Sequence, residues 1–279
     1  MSYETEAFLK EHPQVTGVMT GEGEETFLEL CESYAKAGIG EMAEKMNLSG
    51  IKGIMYRAGE SLVKTGAREP LDLNRIPFCY GGVEDFRNRI IYYESSRGCP
   101  FRCSYCLSSV EKTLRFRDVE RVQKELAFFL EQEVAQVKFV DRTFNCRHEH
   151  AMEIWKFLIE HDNGVTNFHF EISADLLTDE EIALIGQMRP GLIQLEIGVQ
   201  STNDATITEI PRTMQLDRLK AVVRSIQEKE NIHEHLDLIA GLPYEGYETF
   251  ARSFDEIYAL KPNQLQLGFL KVLKGSYMY

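Results

Sequence analysis

The chain has 279 residues and a formal net charge of -13, from 31 Lys and Arg against 44 Asp and Glu, with 43% hydrophobic residues. This composition is that of a folded protein and excludes a disordered or collagen-like chain. The acidic balance argues against broad binding to nucleic acid. No apolar run approaches the roughly 18 residues of a membrane span, and the start Met-Ser-Tyr-Glu lacks a secretory signal. We therefore expect a cytoplasmic protein with reduced cysteines.

The first part of the chain, residues 1–48, is acidic and helical in pattern. The acidic turn Gly21–Glu25 precedes the run TFLELCESYAKAG, and acidic residues favour the start of a helix. The apolar positions of this helix predict a buried face made of Phe27, Leu28, Leu30 and Cys31. Residues 49–88 are predicted to hold a hairpin, within 51–66, and then a linker.

From residue 89 onwards, apolar strand-like runs alternate with amphipathic helices. The predicted strands lie at 90–93, 137–140, 167–172, 191–199, 235–241 and 263–269. The predicted helices lie near 117–135, 147–161, 178–188, 214–229 and 246–260. Such alternation is typical of βαβ units, which form a parallel sheet with right-handed crossovers. Residues 89–279 are thus predicted to be one α/β domain, and six such units fit a barrel better than a flat sheet.

Three of the six cysteines, Cys99, Cys103 and Cys106, form a C-x3-C-x2-C motif directly after the first of these strands. A structural zinc site normally takes four ligands, often from paired C-x2-C units, and the sequence has no second pair. His148 or His150 could still complete a zinc site. Iron–sulfur clusters also normally take four thiolates. Three thiolates on one loop therefore favour a 4Fe-4S cluster with one iron open to another ligand.

This motif, with Tyr105 just before its last cysteine and its place after the first strand of an α/β barrel, resembles the radical S-adenosylmethionine (radical SAM) superfamily. The resemblance implies a partial (β/α)6 TIM-like barrel with a small N-terminal α/β unit. It implies that the three cysteines bind a 4Fe-4S cluster while S-adenosylmethionine chelates the fourth iron. One electron then cleaves S-adenosylmethionine to methionine and a 5'-deoxyadenosyl radical. An electron donor such as flavodoxin or ferredoxin and an unidentified small-molecule or peptide substrate are also implied.

Polar residues follow the ends of the later strands, where catalytic groups collect in parallel barrels. The third strand ends with Glu171 and Ser173, the fourth carries Glu196, Gly198 and Gln200, Arg212 follows it, and the fifth contains Asp237. Of these and their neighbours, Glu171, Gln200 with Ser201, Arg212 and Asp237 resemble the cofactor-contacting set of oxygen-independent coproporphyrinogen oxidases. The resemblance implies that Glu171, with Ser173 beside it, faces the ribose and that Arg212 binds the methionine carboxylate. It also implies that Gln200 and Asp237 bind ribose or amine and that the adenine lies near Tyr105.

Each of these positions also has an ordinary structural interpretation. Arg212 could lie on a surface helix, Gln200 in a buried network, and Asp237 could cap its strand. In residues 141–145 the family often has a Gly-Gly-Glu stretch, which this sequence lacks, so only the position carries over.

Other histidines, cysteines and the tryptophan are given structural roles. We expect His148 and His150 at an exposed helix start, and His233 and His235 on a solvent-facing side of a strand. Isolated cysteines are usually small buried side chains, which is the expectation for Cys79 and Cys146. Trp155 fits the apolar face of its helix, and Thr178 with Glu181 is typical of a capping box.

The beginning VTGVMTGEGEETFLELCE resembles the last strand, turn and helix of the cobalamin-binding domain that precedes the barrel in one radical SAM branch. This predicts that residues 1–48 are the remnant of such a domain, that cobalamin is used by a longer protein, and that a C-terminal domain is also missing. One alternative is a methylthiotransferase or another RNA-modifying radical SAM enzyme, which would usually carry a basic RNA-binding domain. The other is an iron–sulfur protein for electron transfer or structure, without turnover of S-adenosylmethionine.

Overall fold

The computed structural model describes residues 3–37, 47–82, 85–110 and 113–279. It divides the chain into two compact units, residues 1–76 and residues 77–279. Part of the predicted segment 1–48, residues 38–46, lies outside the described residues. Among the helices described, none has the length and apolar character required to cross a bilayer.

The first unit contains a small antiparallel sheet with helices. Its elements are α1 (Thr5–Glu11), β1 (Gly17–Met19), α2 (Glu24–Ala37), β2 (Ile54–Ala58) and β3 (Ser61–Lys64). Strand β2 pairs with both β1 and β3, so the sheet order is β1-β2-β3. The predicted hairpin within 51–66 is therefore confirmed as the pair of β2 and β3.

The buried side of α2 differs from the predicted one. Thr26 is fully buried and donates a hydrogen bond to the Lys52 carbonyl at 3.1 Å. Leu30, one turn later, packs against the small cluster of Leu48, Ile51 and Ile54. Because Thr26 and Leu30 define the buried stripe, the side chains rotated away from it are exposed. The predicted burial of Phe27, Leu28 and Cys31 is thus wrong.

The second unit contains the remaining strands and helices. The strands are β4 (Ile90–Tyr93), β5 (Ser96–Arg97), β6 (Arg115–Phe116), β7 (Gln136–Phe139), β8 (Asn167–Ile172), β9 (Ile193–Gln200), β10 (His233–Ala240) and β11 (Gln264–Phe269). The helices are α3 (Val119–Glu131), α4 (His148–Glu160), α5 (Asp179–Ile185), α6 (Asp204–Glu209), α7 (Leu216–Gln227) and α8 (Tyr247–Tyr258). Only the short α6 has no counterpart among the helices predicted for this unit.

Six strands form one parallel sheet in the order β4-β7-β8-β9-β10-β11, which is their order along the chain. Strands β4 and β11 are its two edges, so the sheet is open. Strands β5 and β6 form a separate antiparallel pair. The predicted α/β fold with a parallel sheet of the partial-barrel type is confirmed.

One face of the sheet packs against the helices and forms the core. Along β9, Ile193, Leu195, Ile197 and Val199 are buried in the same apolar cluster as Leu219, Val222 and Val223 of α7. The alternating residues of β9 lie on the opposite face, which carries polar side chains. Trp155 is fully buried in this core, and the capping box of Thr178 and Glu181 at α5 is present, as predicted.

Candidate functional site

The cysteine motif lies on a loop that follows β5. Gly98, just before it, has φ +103°, and a Cβ there would lie 2.6 Å from the Thr113 carbonyl oxygen. Only glycine fits this conformation without displacing backbone. Within the loop, the Ser109 hydroxyl donates to the carbonyl oxygens of Cys103 and Cys106, at 2.9 and 2.6 Å. These two hydrogen bonds hold Cys103 and Cys106 in a fixed relation to each other.

The start of the loop is tied to the end of β7 by Asp141. The Ser95 amide and hydroxyl donate to the Asp141 carboxylate at 2.8 and 2.5 Å, and the Ser96 hydroxyl donates at 2.9 Å. Asp141 is fully buried, and burial raises its pKa to about 6, although the serine hydrogen bonds oppose that rise. Asp141 therefore links two neighbouring strand ends at the base of the cysteine loop.

His150 lies beside the same serine. Its Nε2 is 3.0 Å from Ser95 Oγ, and its ring meets Phe116 edge to face. The prediction that His150 is exposed is wrong, since the residue is only 2% exposed. The reason is that the first turn of α4 faces the base of the loop instead of solvent. Burial lowers the pKa of His150 to about 4.

A cavity of about 200 Å³ opens at the carboxyl ends of the strands. All nine residues predicted to bind the cluster or the cofactor line it: Cys99, Cys103, Cys106, Tyr105, Glu171, Ser173, Gln200, Arg212 and Asp237. Their roles remain predictions, but the fold brings four strand ends and the cysteine loop to one place.

The three thiols differ in their surroundings. Cys103 is buried, and Arg212 Nη1 lies 3.7 Å from its Sγ. Cys99 Sγ lies 3.7 Å from Thr143 Oγ1, and burial raises the pKa of its thiol. A bound metal must displace the proton from such a thiol. Within the described part of the chain, His150 contacts Ser95 and His148 lies beside Glu180 and Glu181, so neither histidine is directed at these thiols.

Three buried polar atoms in the cavity have no hydrogen-bond partner: Gln200 Oε1, Arg212 Nε and Asp237 Oδ1. Gln200 ends β9 with φ +73°, which turns the chain at the cavity. Arg212 lies between α6 and α7, not on a surface helix, and its Nη2 donates to the Gly198 carbonyl. Because buried polar groups are normally paired, these three atoms fit a polar ligand such as S-adenosylmethionine.

Three carboxylates, Glu171, Glu196 and Asp237, share the floor of the cavity. Lys138 Nζ and His169 Nε2 each lie 2.9 Å from Glu196 Oε2. The His169 and Lys138 contacts outweigh burial and lower the pKa of Glu196 to about 2. Burial, with repulsion from Glu196, instead raises the pKa of Asp237 to about 7 and raises that of Glu171.

Ser173 has a structural contact in addition to its place on the cavity. Its hydroxyl donates to Asp175 Oδ1 at 2.7 Å, and its backbone exchanges hydrogen bonds with the Asn145 side chain at 2.9 and 3.0 Å. Ser201, next to Gln200, does not line the cavity and donates to Glu245.

Several expectations for single side chains are wrong or incomplete. His235 is buried and shares a strand face with Asp237, so it does not face solvent. Cys79 is exposed and Cys146 only partly buried. The predicted set also omits Arg142, Thr143 and Glu196, which line the cavity. Glu196 was noted on the fourth strand, in period-two alternation with Gln200, but was given no role. Arg142 and Thr143 occupy the position where the family often has Gly-Gly-Glu.

Comparison with known proteins agrees with this geometry. The sequence profile of the radical SAM superfamily matches residues 93–257. The anaerobic magnesium-protoporphyrin IX monomethyl ester cyclase of Rubrivivax gelatinosus is 25% identical over 257 residues, covering 88% of this chain and 45% of the cyclase. The cobalamin-dependent radical SAM methyltransferase TokK of Streptomyces tokunonensis is 27% identical over 265 residues, covering 87% of this chain and 37% of TokK.

A solved structure shares the fold over nearly the whole chain. The radical SAM methyltransferase TsrM from Kitasatospora setae, with cobalamin and a 4Fe-4S cluster bound, superposes with a TM-score of 0.80 at 17% identity, covering 98% of this chain and 56% of TsrM. Because the profile match over residues 93–257 covers more than half of the chain, the chain belongs to the radical SAM superfamily, whose members are enzymes. It spans less than half the length of the two curated relatives named above.

Proposed function

We propose that this chain is the catalytic core of a radical SAM enzyme that holds a 4Fe-4S cluster through Cys99, Cys103 and Cys106. The observation that carries the proposal is the single cavity that contains these thiols together with the predicted cofactor contacts. When bound, the cluster supplies one electron for cleavage of S-adenosylmethionine to a 5'-deoxyadenosyl radical that abstracts a substrate hydrogen. The substrate is an unidentified small molecule or peptide.

The residues around the cavity would bind and orient the cofactor. Arg212 offers a guanidinium beside Cys103 for the methionine carboxylate, because planar guanidinium groups pair well with carboxylates. Glu171 and Asp237 offer carboxylate oxygens to the ribose hydroxyls, and Gln200 an amide oxygen to ribose or amine. Tyr105 lies on the cysteine loop, where its ring can cover the adenine.

We also propose that the longer protein uses cobalamin, is cytoplasmic and takes its electron from a flavodoxin or ferredoxin. Support for cobalamin comes from two similar proteins whose names or titles include it, TokK and TsrM. The strand, turn and helix at β1 and α2 are the elements that the sequence pattern assigns to the end of a cobalamin-binding domain. Methylation, cyclisation and other radical reactions are all compatible with the cavity.

Anaerobic reconstitution with iron and sulfide tests the proposal. The wild-type chain should bind about four irons and show the broad visible absorbance of a 4Fe-4S cluster. Cys99→Ser, Cys103→Ser or Cys106→Ser should each abolish that absorbance. Cys79→Ser and Cys146→Ser are matched controls, since neither residue lines the cavity, and both should retain it. Equal loss in the controls, or retention in the three motif variants, would contradict the assignment.

A further inference from the structure

A second group of ligand-type side chains lies next to the carboxylates of the cavity. His169 of β8, Glu196 of β9 and His235 of β10 come from three adjacent strands, and one ligand atom from each lies within 4.8 Å of the others. His235 and Glu196 are direct register partners in the parallel sheet. The rigid sheet, not a loop, therefore holds the three groups together.

Each of the two imidazoles is buried and has an Nε2 atom without a hydrogen bond. His169 and His235 are each 6% exposed, and Nε2 of each forms no hydrogen bond. His169 Nε2 lies 2.9 Å from Glu196 Oε2, and His235 Nε2 lies 3.1 Å from Asp237 Oδ1. Each Nε2 atom is thus close to a carboxylate oxygen, but its orientation does not allow a hydrogen bond to that oxygen. A buried imidazole nitrogen in this state is a suitable metal ligand.

Carboxylates also surround the site. Glu171, Glu196 and Asp237 lie together on the cavity floor. Among the nearby cations, Lys138 pairs with Glu196 and Arg212 donates to the Gly198 carbonyl, while Arg142 also lines the cavity. Lys138 Nζ pairs with Glu196 Oε2 at 2.9 Å. This pair leaves His169 Nε2 and His235 Nε2 without a hydrogen bond, although each lies near a carboxylate oxygen.

We propose that His169, Glu196 and His235 form a binding site for a divalent transition-metal ion, separate from the cysteine motif. Two imidazoles and one carboxylate suit ions such as Zn²⁺, Co²⁺ or Fe²⁺. A cation there would lie against Glu196 and beside Asp237, so it would fix the floor of the cavity without contacting a thiol. This inference does not rest on the proposed activity, because the site uses none of the three cysteines.

Zinc binding is the direct test, with elemental analysis and competition against a chromophoric chelator. The full chain with its cluster reconstituted should bind one Zn²⁺, and so should the Cys99→Ser/Cys103→Ser/Cys106→Ser variant, which removes thiolate competition. His169→Gln and His235→Gln should each weaken binding by at least roughly tenfold, as expected when one ligand is lost. His233→Gln is the matched control, because it removes an imidazole from the same face of β10, and its affinity should be unchanged.

The spectrum of bound Co²⁺ and the zinc affinity of a Lys138 variant are two independent tests of the site. In the triple-serine variant Co²⁺ should show weak ligand-field bands without sulfur charge-transfer absorbance, because its donors are nitrogen and oxygen. Lys138→Met should tighten Zn²⁺ binding, since it removes a cation that competes for Glu196. This variant retains both histidines, so it still tests the site if the two glutamine variants do not fold. Absence of stoichiometric zinc in the triple-serine variant, unchanged affinity in His169→Gln and His235→Gln, or weaker binding in Lys138→Met would overturn the proposal.

Discussion

Glu171 is the carboxylate at which the cofactor assignment can be tested most simply. A ribose hydroxyl that donates to a partly buried carboxylate forms a charge-assisted hydrogen bond of roughly 1.5–3 kcal/mol. Glu171→Gln should therefore weaken binding of S-adenosylmethionine by about tenfold or more while the cluster absorbance is retained. Anaerobic calorimetry measures the affinity, and Glu180→Gln, whose side chain is 82% exposed, is the control. Equal affinities in wild type and Glu171→Gln would remove this residue from the site.

Glu234 predicts a pH dependence of stability. The residue is fully buried, Gln227 donates to its Oε2 at 2.7 Å, and its Oε1 has no partner. Burial raises its pKa from 4.5 to about 7. Between these two values the unfolded state has lost the proton and the folded state keeps it, so the stability contribution declines as pH rises through this window.

Glu234→Gln should remove this loss. At pH 8 the variant should be more stable than wild type by on the order of 3 kcal/mol, and the difference should shrink towards pH 4. Urea unfolding followed by Trp155, the single tryptophan, reports on the second unit. The exposed Glu228→Gln is the control and should leave the profile unchanged. A constant difference between pH 4 and pH 8 would show that Glu234 does not titrate in this way.

Site residues could be predicted from the sequence where the spacing of a motif alone determines its chemistry. The motif of Cys99, Cys103 and Cys106 is local, so its side chains must share one loop. Burial of single residues depends on which face of an element meets the rest of the fold. His235 shows this: its alternation with Asp237 is visible in the sequence, but the direction of that face is set by the parallel sheet. Cys31 is the corresponding case on a helix. Its place in the apolar pattern of α2 is visible in the sequence, but it is exposed because a different face of α2 is buried.

At the level of elements, the alternation of strands and helices was predictable because each has its own apolar period. The predicted strand 167–172 coincides with β8, and 137–140 differs from β7 by one residue at each end. The six-residue α6 was not predicted, since one and a half turns give too few apolar positions to define a face. The tie between β7 and the cysteine loop through Asp141 also could not be predicted, because it joins residues far apart in sequence.

The connection that Asp141 makes between the end of β7 and the cysteine loop can be tested by substitution. Asp141→Ala leaves the buried Ser95 amide without its acceptor, and an unsatisfied buried donor costs about 1–3 kcal/mol. With the two serine hydroxyls also released, we expect a total loss of about 2–4 kcal/mol in the free energy of unfolding. Iron bound after reconstitution should fall as well, because the base of the cysteine loop is no longer fixed.

Urea unfolding and iron analysis of the same preparation measure both effects. Asp255→Ala, an exposed residue on α8, is the control and should change neither quantity. Unchanged stability and iron content in Asp141→Ala would mean that the serine hydrogen bonds do not hold the loop.

At the scale of the whole molecule, the structure of the first unit leads to a prediction about whether this chain binds cobalamin. A corrinoid domain of the doubly wound type needs a larger parallel sheet than the three-stranded antiparallel sheet described for residues 1–76. His12 is the only histidine in this part of the sequence, and its Nδ1 lies 2.8 Å from the Phe8 carbonyl oxygen while its ring stacks on Phe8. Its Nδ1 is therefore occupied, and Nε2 is the one ring nitrogen of this histidine open to a metal.

A spectroscopic titration with hydroxocobalamin should accordingly show no stoichiometric complex with the chain of 279 residues. The longer protein proposed above, if it carries a complete cobalamin-binding domain, should bind about one equivalent. Tight binding by the short chain would contradict the assignment of residues 1–48 as the end of a cobalamin domain. Failure of the longer protein would remove cobalamin from the proposed function.

The central claim is that the three cysteines leave one iron of the cluster open to S-adenosylmethionine in the cavity they share with Arg212 and Gln200. Electron paramagnetic resonance of the reduced, reconstituted chain measures this directly. Addition of S-adenosylmethionine should change the g-values of the reduced cluster, because the cofactor becomes an iron ligand. The same addition should have a weaker effect in Arg212→Ala, which loses the guanidinium beside Cys103. A reduced-cluster spectrum that saturating S-adenosylmethionine leaves unchanged in the wild-type chain would contradict the account.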